Sequence, residues 1–483
     1  MNKLTACILS IALLSLPGCS SLLEVEPRQS IDTDQALATP EGIRAALFGT
    51  YSNLKAQALY GRDLLAIAEA LGDNTVIINR AGGRFVNEGQ NVINNHLGGW
   101  GTYYYTINQC NLILKALPES TLPEPEKDTI EGEVKFIRAL MYFDLSRVYA
   151  YEPGVSVPAL DKGAVPLLLE GIDSPEQVAY PVRNAAGEVY AQIYRDLQDA
   201  TAKAPATGGP NRATAGAAHA LLARVALYNQ DWSTAVQSAT AALASSVGRL
   251  AGNSEYVAAW RANGNPESIF EVLFNSRQES LGVNNSLQSA YTTIGSVSQA
   301  SSLLASRPTP LPPATGWGSV VPTPTFLGLF TTGDVRRQLY QLGLNRSNNV
   351  IIECTKFLGK SGTIYMDNVP VLRVSEMYLI RAEAAARLNQ LVGAAEDVNR
   401  IRTRAGLLAL TELDSQTKVL TEIELQRRLE LAFEGHRWFD LKRQGRDVVK
   451  ATGNVSYGDT RTLAPLPNSE ILANKNLEQN SGY

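Results

Sequence analysis

The chain has 483 residues, a 45% hydrophobic share and a mean hydropathy of −0.10. That is enough to bury a sizeable core, in two or three ordinary domains or in one repeat architecture. A formal net charge of −4 gives no electrostatic argument for nucleic acid or anionic lipid as the main partner.

The first residues read as an export signal. Lys3 precedes an almost wholly apolar run from Leu4 to Leu16, the basic-then-apolar order of a secretory leader. The run is shorter than the roughly 20 residues that span a bilayer. Leu16-Pro17-Gly18-Cys19 resembles a bacterial lipobox, so residues 1–18 are expected to be removed and Cys19 to carry lipid, with residues 19–29 as a tether. Several acyl chains on one residue make a stable anchor where a single chain does not. Ordinary secretion without lipid is the alternative. Cys7 lies in the leader, which leaves Cys110 and Cys354 for the folded body. One pair is no disulfide framework; buried thiols are expected, and the sequence leaves a bridge open.

From Gly72 to Gly101 the breakers Gly82-Gly83, Gly89 and Gly98-Gly99 mark a loop. Helical periodicity then dominates. Between Glu131 and Tyr151, Val134, Ile137, Leu140, Met141, Leu145 and Val148 recur at three- and four-residue spacing, with Phe136 and Phe143 on a flanking face, which predicts a helix packed on two sides. Glu188–Ala204 and Arg212–Asn229 predict two more, the latter rich in alanine where neighbours approach closely. The stretch from Leu221 to Gln230, followed by Ala235, echoes that from Ile380 to Gln390, followed by Ala395. In both, a helix ends near an Asn-Gln pair and another opens a few residues later. Ala223, Ala235 and Ala242 sit where tetratricopeptide hairpins, repeating about every 34 residues, place small side chains.

From about Gly248 to Thr323 the character changes. Glu267–Phe274 predicts a strand, and then Ser, Asn, Thr, Gly and Pro predominate; loops of such length on a rigid scaffold usually carry function. The expected organisation is a helical part over 30–250, a loop-rich ligand-side insert over 251–323 and a helical part over 324–483.

Features that look chemical mostly read as structural. Glu430 and Glu434 lie one helical turn apart beside His436 and Asp440, but Arg427, Arg428, Arg437, Lys442 and Arg443 surround them. An ion-paired network is expected there rather than a glycosidase carboxyl pair. His96, His219 and His436 have no second His or Cys at ligand spacing, so no metal site is expected. Phe357-Leu358-Gly359-Lys360-Ser361 lacks the opening glycine of a phosphate loop, where Cys354 stands, and no Gly-x-Ser-x-Gly elbow occurs. No cofactor is expected. Trp100, Trp232, Trp260 and Trp438 read as packing residues. Trp317, between Gly316 and Gly318, does not.

Several phrases resemble the SusD/RagB family: Trp100 with Tyr104, Ile107, Asn108 and Asn111; Gly132–Leu145; Arg373–Ala384 leading to Val398–Arg402 and Arg404–Leu407; Glu430–Arg443; and Leu466–Ile471 through Tyr483. They cover nearly the whole mature chain in order. The resemblance implies a mainly α fold of eight helices in four TPR-like pairs, a right-handed superhelical scaffold, with long irregular loops and a few short strands. It also implies a non-enzymatic, lipid-anchored protein on the surface of a Gram-negative outer membrane, lying as a lid over a TonB-dependent SusC-like barrel transporter.

The nutrient is expected to be an oligo- or polysaccharide, with a peptide as the alternative. In the family's glycan binders the binding face draws on the two loop regions. That makes Trp317, Tyr291, Asp73, Asn79, Arg80 and Arg84 the candidate ligand contacts here. The rival reading is a TPR-type envelope scaffold with no small ligand.

Overall fold

The computed structural model describes residues 33–79, 82–92, 96–344, 351–360 and 362–483. Cys19 and Arg80 lie outside them. Thr39 opens the first long helix, α1 (Pro40–Asn53): its Oγ1 accepts from the Gly42 N–H at 3.1 Å, and Pro40 occupies a first-turn position whose N–H needs no partner. The chain continues through α2 (Asp63–Leu71), α3 (Trp100–Ala116), α4 (Glu124–Tyr149), α5 (Ala186–Lys203), α6 (Ala215–Tyr228) and α7 (Trp232–Ala244). After a long excursion come α8 (Val374–Arg387), α9 (Leu391–Arg404), α10 (Gln416–Glu430) and α11 (Arg437–Arg443).

Neighbours in the stack follow chain order with few jumps. α1 packs on α3, α3 on α4, α4 on α5, α5 on α6, α6 on α7, α7 on α8 and α8 on α9, while α10 closes the row against α8 and α9. Among the described residues, α10 apart, these stacked helices form four pairs (α1 with α3, α4 with α5, α6 with α7, α8 with α9), the arrangement that the resemblance implied. α4 is buried on every side from Ile137 to Val148, because it lies between α3 and α5 with α6 across it. In α6, Ala217, Ala218, Ala220, Ala223 and Ala226 are all fully buried; their small side chains let the flanking helices approach.

The internal echo holds with a one-residue correction at the turn. Gln230 and Asn389 are the residues with positive φ, at 57° and 60°, and the Asp231 and Gln390 N–H groups return to Ala226 and Ala385 oxygens. Gln230 therefore matches Asn389, and the buried counterpart of Ala235 is Ala394, not the partly exposed Ala395. Matching the Asn-Gln pairs letter for letter slips the register by one.

Among the described residues six short strands pair in twos: β1 (Thr75–Ile77) with β3 (Val320–Pro322), β2 (Ser268–Val272) with β6 (Val369–Arg373), and β4 (Tyr340–Leu342) with β5 (Ile352–Cys354), all antiparallel. The strand expected at Glu267–Phe274 is β2. The stretch expected to be loop is more structured than its composition suggests, since it also contains helices Tyr256–Arg261, Leu287–Tyr291 and Val297–Ala305. One large apolar cluster runs from Ile43 to Leu466 and includes Phe270, Leu287 and Tyr291, so the 251–323 segment is part of the common core. Cys110 and Cys354 are free, buried thiols. No helix among the described residues is long and apolar enough to cross a membrane.

Candidate functional site

The β1–β3 ladder brings the two sequence-predicted loops together. Ile77 pairs with Val320, and the next N–H, that of Ile78, donates to the Ser319 oxygen at 2.8 Å. Beyond this end of the ladder the early loop (82–85) meets the late loop (315–318), Arg84 lying over Trp317. Trp317 is fixed by its backbone: its N–H donates to Ser289 O at 3.0 Å and to Ser289 Oγ at 3.1 Å. The flanking glycines make that approach feasible. A Cβ on Gly316 would lie 2.1 Å from the Thr292 oxygen, and Gly318 has φ of +53°.

Trp317 is partly exposed, with its Nε1 buried, and the Arg84 guanidinium lies over the ring at 4.6 Å. Arg84 Nη2 also donates to Asn284 Oδ1 at 2.8 Å, and Arg62 Nη1 donates to the Asn284 carbonyl. Arg62 covers the ring of Phe85, whose own φ is +58°. Asn79 is exposed and accepts from the Gly83 N–H at 3.3 Å, bracing the early loop. The result is an outward face with an indole, a phenyl ring, two guanidinium groups and an amide. Arg62 is paired with Asp63 at 2.6 Å; Arg84 has no carboxylate partner among the described residues.

Two candidates are not surface contacts. Tyr291 is fully buried, its ring 5.1 Å from Phe433 and 6.0 Å from Phe357. The short helix Leu287–Tyr291 turns it into the core, so it offers no face to a ligand. Asp73 is held by Arg437 at 2.6 and 2.9 Å and by Arg428 at 3.4 Å. Burial opposes its ionisation, but Arg437 and Arg428 outweigh this and hold its carboxyl below the usual range. It belongs to the body of the protein and lines a different recess, described below. Arg80 lies outside the described residues. The sequence reading missed Arg62, Phe85 and Asn284. Phe85, next to Arg84 in a glycine-rich loop, could have been flagged; Arg62 and Asn284 carried no local signal.

The acid-rich C-terminal segment is a buried ionic centre. Arg373 reaches Glu434 at 2.7 Å, Glu430 at 2.8 Å and Glu267 at 2.9 Å. Arg404 meets Glu430 at 2.5 Å and Glu267 more closely still, and Lys356 meets Glu434 at 2.5 Å. Burial pushes the Glu430 carboxyl up, yet Arg404, Arg373 and Arg336 together hold it far below the usual carboxylate range, the opposite of what a general acid needs. His436 is driven well below its ordinary value by burial and by Arg224 and Arg427, so it stays neutral. Among the described residues no group of three or more His, Cys, Asp or Glu is placed to hold a metal ion.

Two family models match the sequence in succession, one described as "Starch-binding associating with outer membrane" over residues 23–227 and one described as "SusD family" over residues 340–483. The SusD-like protein P38 of Formosa agariphila is 25% identical over 519 residues, covering 99% of this chain and 98% of that one. A Bacteroides vulgatus protein described as sugar-binding superposes with a TM-score of 0.78 at 25% identity, covering 92% of this chain and 99% of its own. A laminarin-binding SusD-like protein shares the fold, with a TM-score of 0.72 at 22% identity over 92% of this chain and 100% of that one. The ordered motifs, the four stacked helix pairs and these matches agree: the chain belongs to the SusD/RagB family.

Proposed function

We propose that this protein captures a saccharide at the cell surface, held to the outer membrane by lipid on Cys19, and passes it to a TonB-dependent SusC-like barrel. The observation that carries the saccharide reading is the partly exposed Trp317, fixed at the meeting point of two loops beside Arg84, Phe85 and Asn284. A flat aromatic face packs against the apolar face of a sugar ring, and guanidinium and amide donors satisfy hydroxyls that lose water. Names among the similar proteins support it: starch for one family model and laminarin for one structural neighbour.

Binding without catalysis fits the pairing of Glu430 and Glu434 within the core. A panel of neutral and acidic glycans and peptides, screened by calorimetry, tests the reading. A saccharide is expected among the ligands; peptides alone would replace it with peptide capture. Cys19→Ala should abolish acyl labelling and release the protein from membranes, and retained labelling would remove the anchor from the account.

A further inference from the structure

At the opposite end of the β1–β3 ladder, where Thr75 pairs with Pro322, a recess of about 630 Å³ opens between β1, the start of the segment after β3, α10 and the turn that follows α11. None of Asn79, Arg84, Phe85, Asn284 and Trp317 lines this recess, so it is distinct from the Trp317 face. Its volume lies in the usual range for small-molecule sites. Val76, Pro324, Val449 and Ala451 give it apolar walls, Val449 being 64% exposed at the rim, and Thr325 and Thr452 add hydroxyls.

The charges lining it do not balance. Lys450 Nζ donates to Ala70 O at 2.6 Å, Asn91 Oδ1 at 2.8 Å and Leu71 O at 3.3 Å, so its three N–H groups meet neutral acceptors; no carboxylate lies within ion-pair distance of it among the described residues. Arg428 donates to Asn74 Oδ1 at 2.6 Å, and its nearest acid, Asp73 at 3.4 Å, is already engaged bidentately by Arg437. Arg437 and Arg446 stand behind Arg428 as further cations, with Glu424 as the shared acid. Burial pushes the Lys450 ammonium down to about 7, with only Asp73 opposing it, as expected for a cation lacking a counter-charge.

We infer that this recess is a second ligand subsite that takes an acidic substituent of a saccharide, a uronate carboxylate or a sulfate ester, against Lys450 and Arg428. An anion there supplies the missing counter-charge to Lys450 and accepts charge-assisted hydrogen bonds from Arg428, whose Nη1 has no partner among the described residues, while the ring carrying it lies on Pro324 and Val449. The inference rests on the saccharide reading above and narrows it to acidic glycans.

The test measures affinity by calorimetry at low salt for three probes: alginate oligosaccharides for carboxylates, dextran sulfate oligosaccharides for sulfate esters, and neutral dextran oligosaccharides. At least one acidic probe is expected to bind about tenfold or more tighter than the neutral one. Lys450→Gln should remove most of that preference. Val449→Asp does the same from the exposed rim by like-charge repulsion, without disturbing buried groups, and so keeps the test valid if Lys450→Gln unfolds the protein.

Whichever acidic probe shows the preference identifies the substituent. Neutral probe bound as tightly as both acidic ones, or acidic preference intact in Val449→Asp, overturns the subsite and leaves the general saccharide reading standing. Failure to bind any saccharide, with peptides bound instead, overturns both.

Discussion

The centre around Arg373 and the face around Trp317 use the same residue types to opposite ends. In the centre, Arg373, Arg404, Arg336 and Lys356 are each matched to carboxylates and are almost fully excluded from water. On the face, Arg84 lies on an indole with no acid paired to it among the described residues, and the groups around it are half-open to solvent. A matched, buried network holds elements together and has no spare valence for a ligand; an unmatched cation on an aromatic shelf does. Density of charged letters in a sequence therefore marks structure here, and the proposed recognition falls to the sparse loop.

Removing one partner from the centre should have the largest effect. Glu430→Ala removes the one carboxylate that Arg373, Arg404 and Arg336 share and leaves the interior with excess positive charge, and losses of this kind are on the order of 3–5 kcal/mol. Chemical denaturation is expected to show that loss or outright failure to fold, and a nearly unchanged midpoint would mean that the network is not what ties β6, α9 and α10 together. Tyr291→Ala comes next: emptying a fully buried aromatic site costs about 3–5 kcal/mol. Tyr291→Phe should be nearly silent in both stability and binding, because the buried Tyr291 hydroxyl has no hydrogen-bond partner among the described residues. Reduced binding in the folded Phe variant would return Tyr291 to the recognition face.

A smaller effect separates the two regions by pH. Glu69 is buried beside the ionic centre and accepts from the Gly435 N–H at 2.9 Å; burial raises its carboxyl to about 7, against the pull of Gly435 and Lys356. The folded state thus holds a proton that the unfolded chain releases near the ordinary value of 4.5. Stability on this account is lost as pH rises from about 4.5 to 7 and is flat above. Glu69→Gln should remove that decline, seen as a melting temperature whose advantage over the unsubstituted protein grows across the window. An equal difference at pH 5 and pH 7.5 would contradict the assignment.

The helix pairs were legible because their signal is local: apolar residues at helical spacing and alanines at contact positions appear in one stretch of sequence. Trp317 was legible for the same reason, set between two glycines in a polar run. The misreadings share a cause. Tyr291 sits in that same polar run, and what buries it, Phe357 and Phe433, is far along the chain. Asp73 looks like a loop acid until Arg437, 364 residues later, is brought to it. Arg62 and Asn284 gain their place only when two loops meet. At the α8–α9 turn, a repeated Asn-Gln pair suggested a register that the left-handed residue at each turn shifts by one.

The central claim is that recognition lies on the Trp317 face and stability in the acid-rich centre. Trp317→Ala measured against the best-binding saccharide, with the melting temperature followed in parallel, tests it most directly. Affinity should fall on the order of tenfold or more, as for an aromatic anchor, with the melting temperature within about 2 °C because a partly exposed loop side chain contributes little to the core. Unchanged affinity in a folded Trp317→Ala protein would contradict the claim.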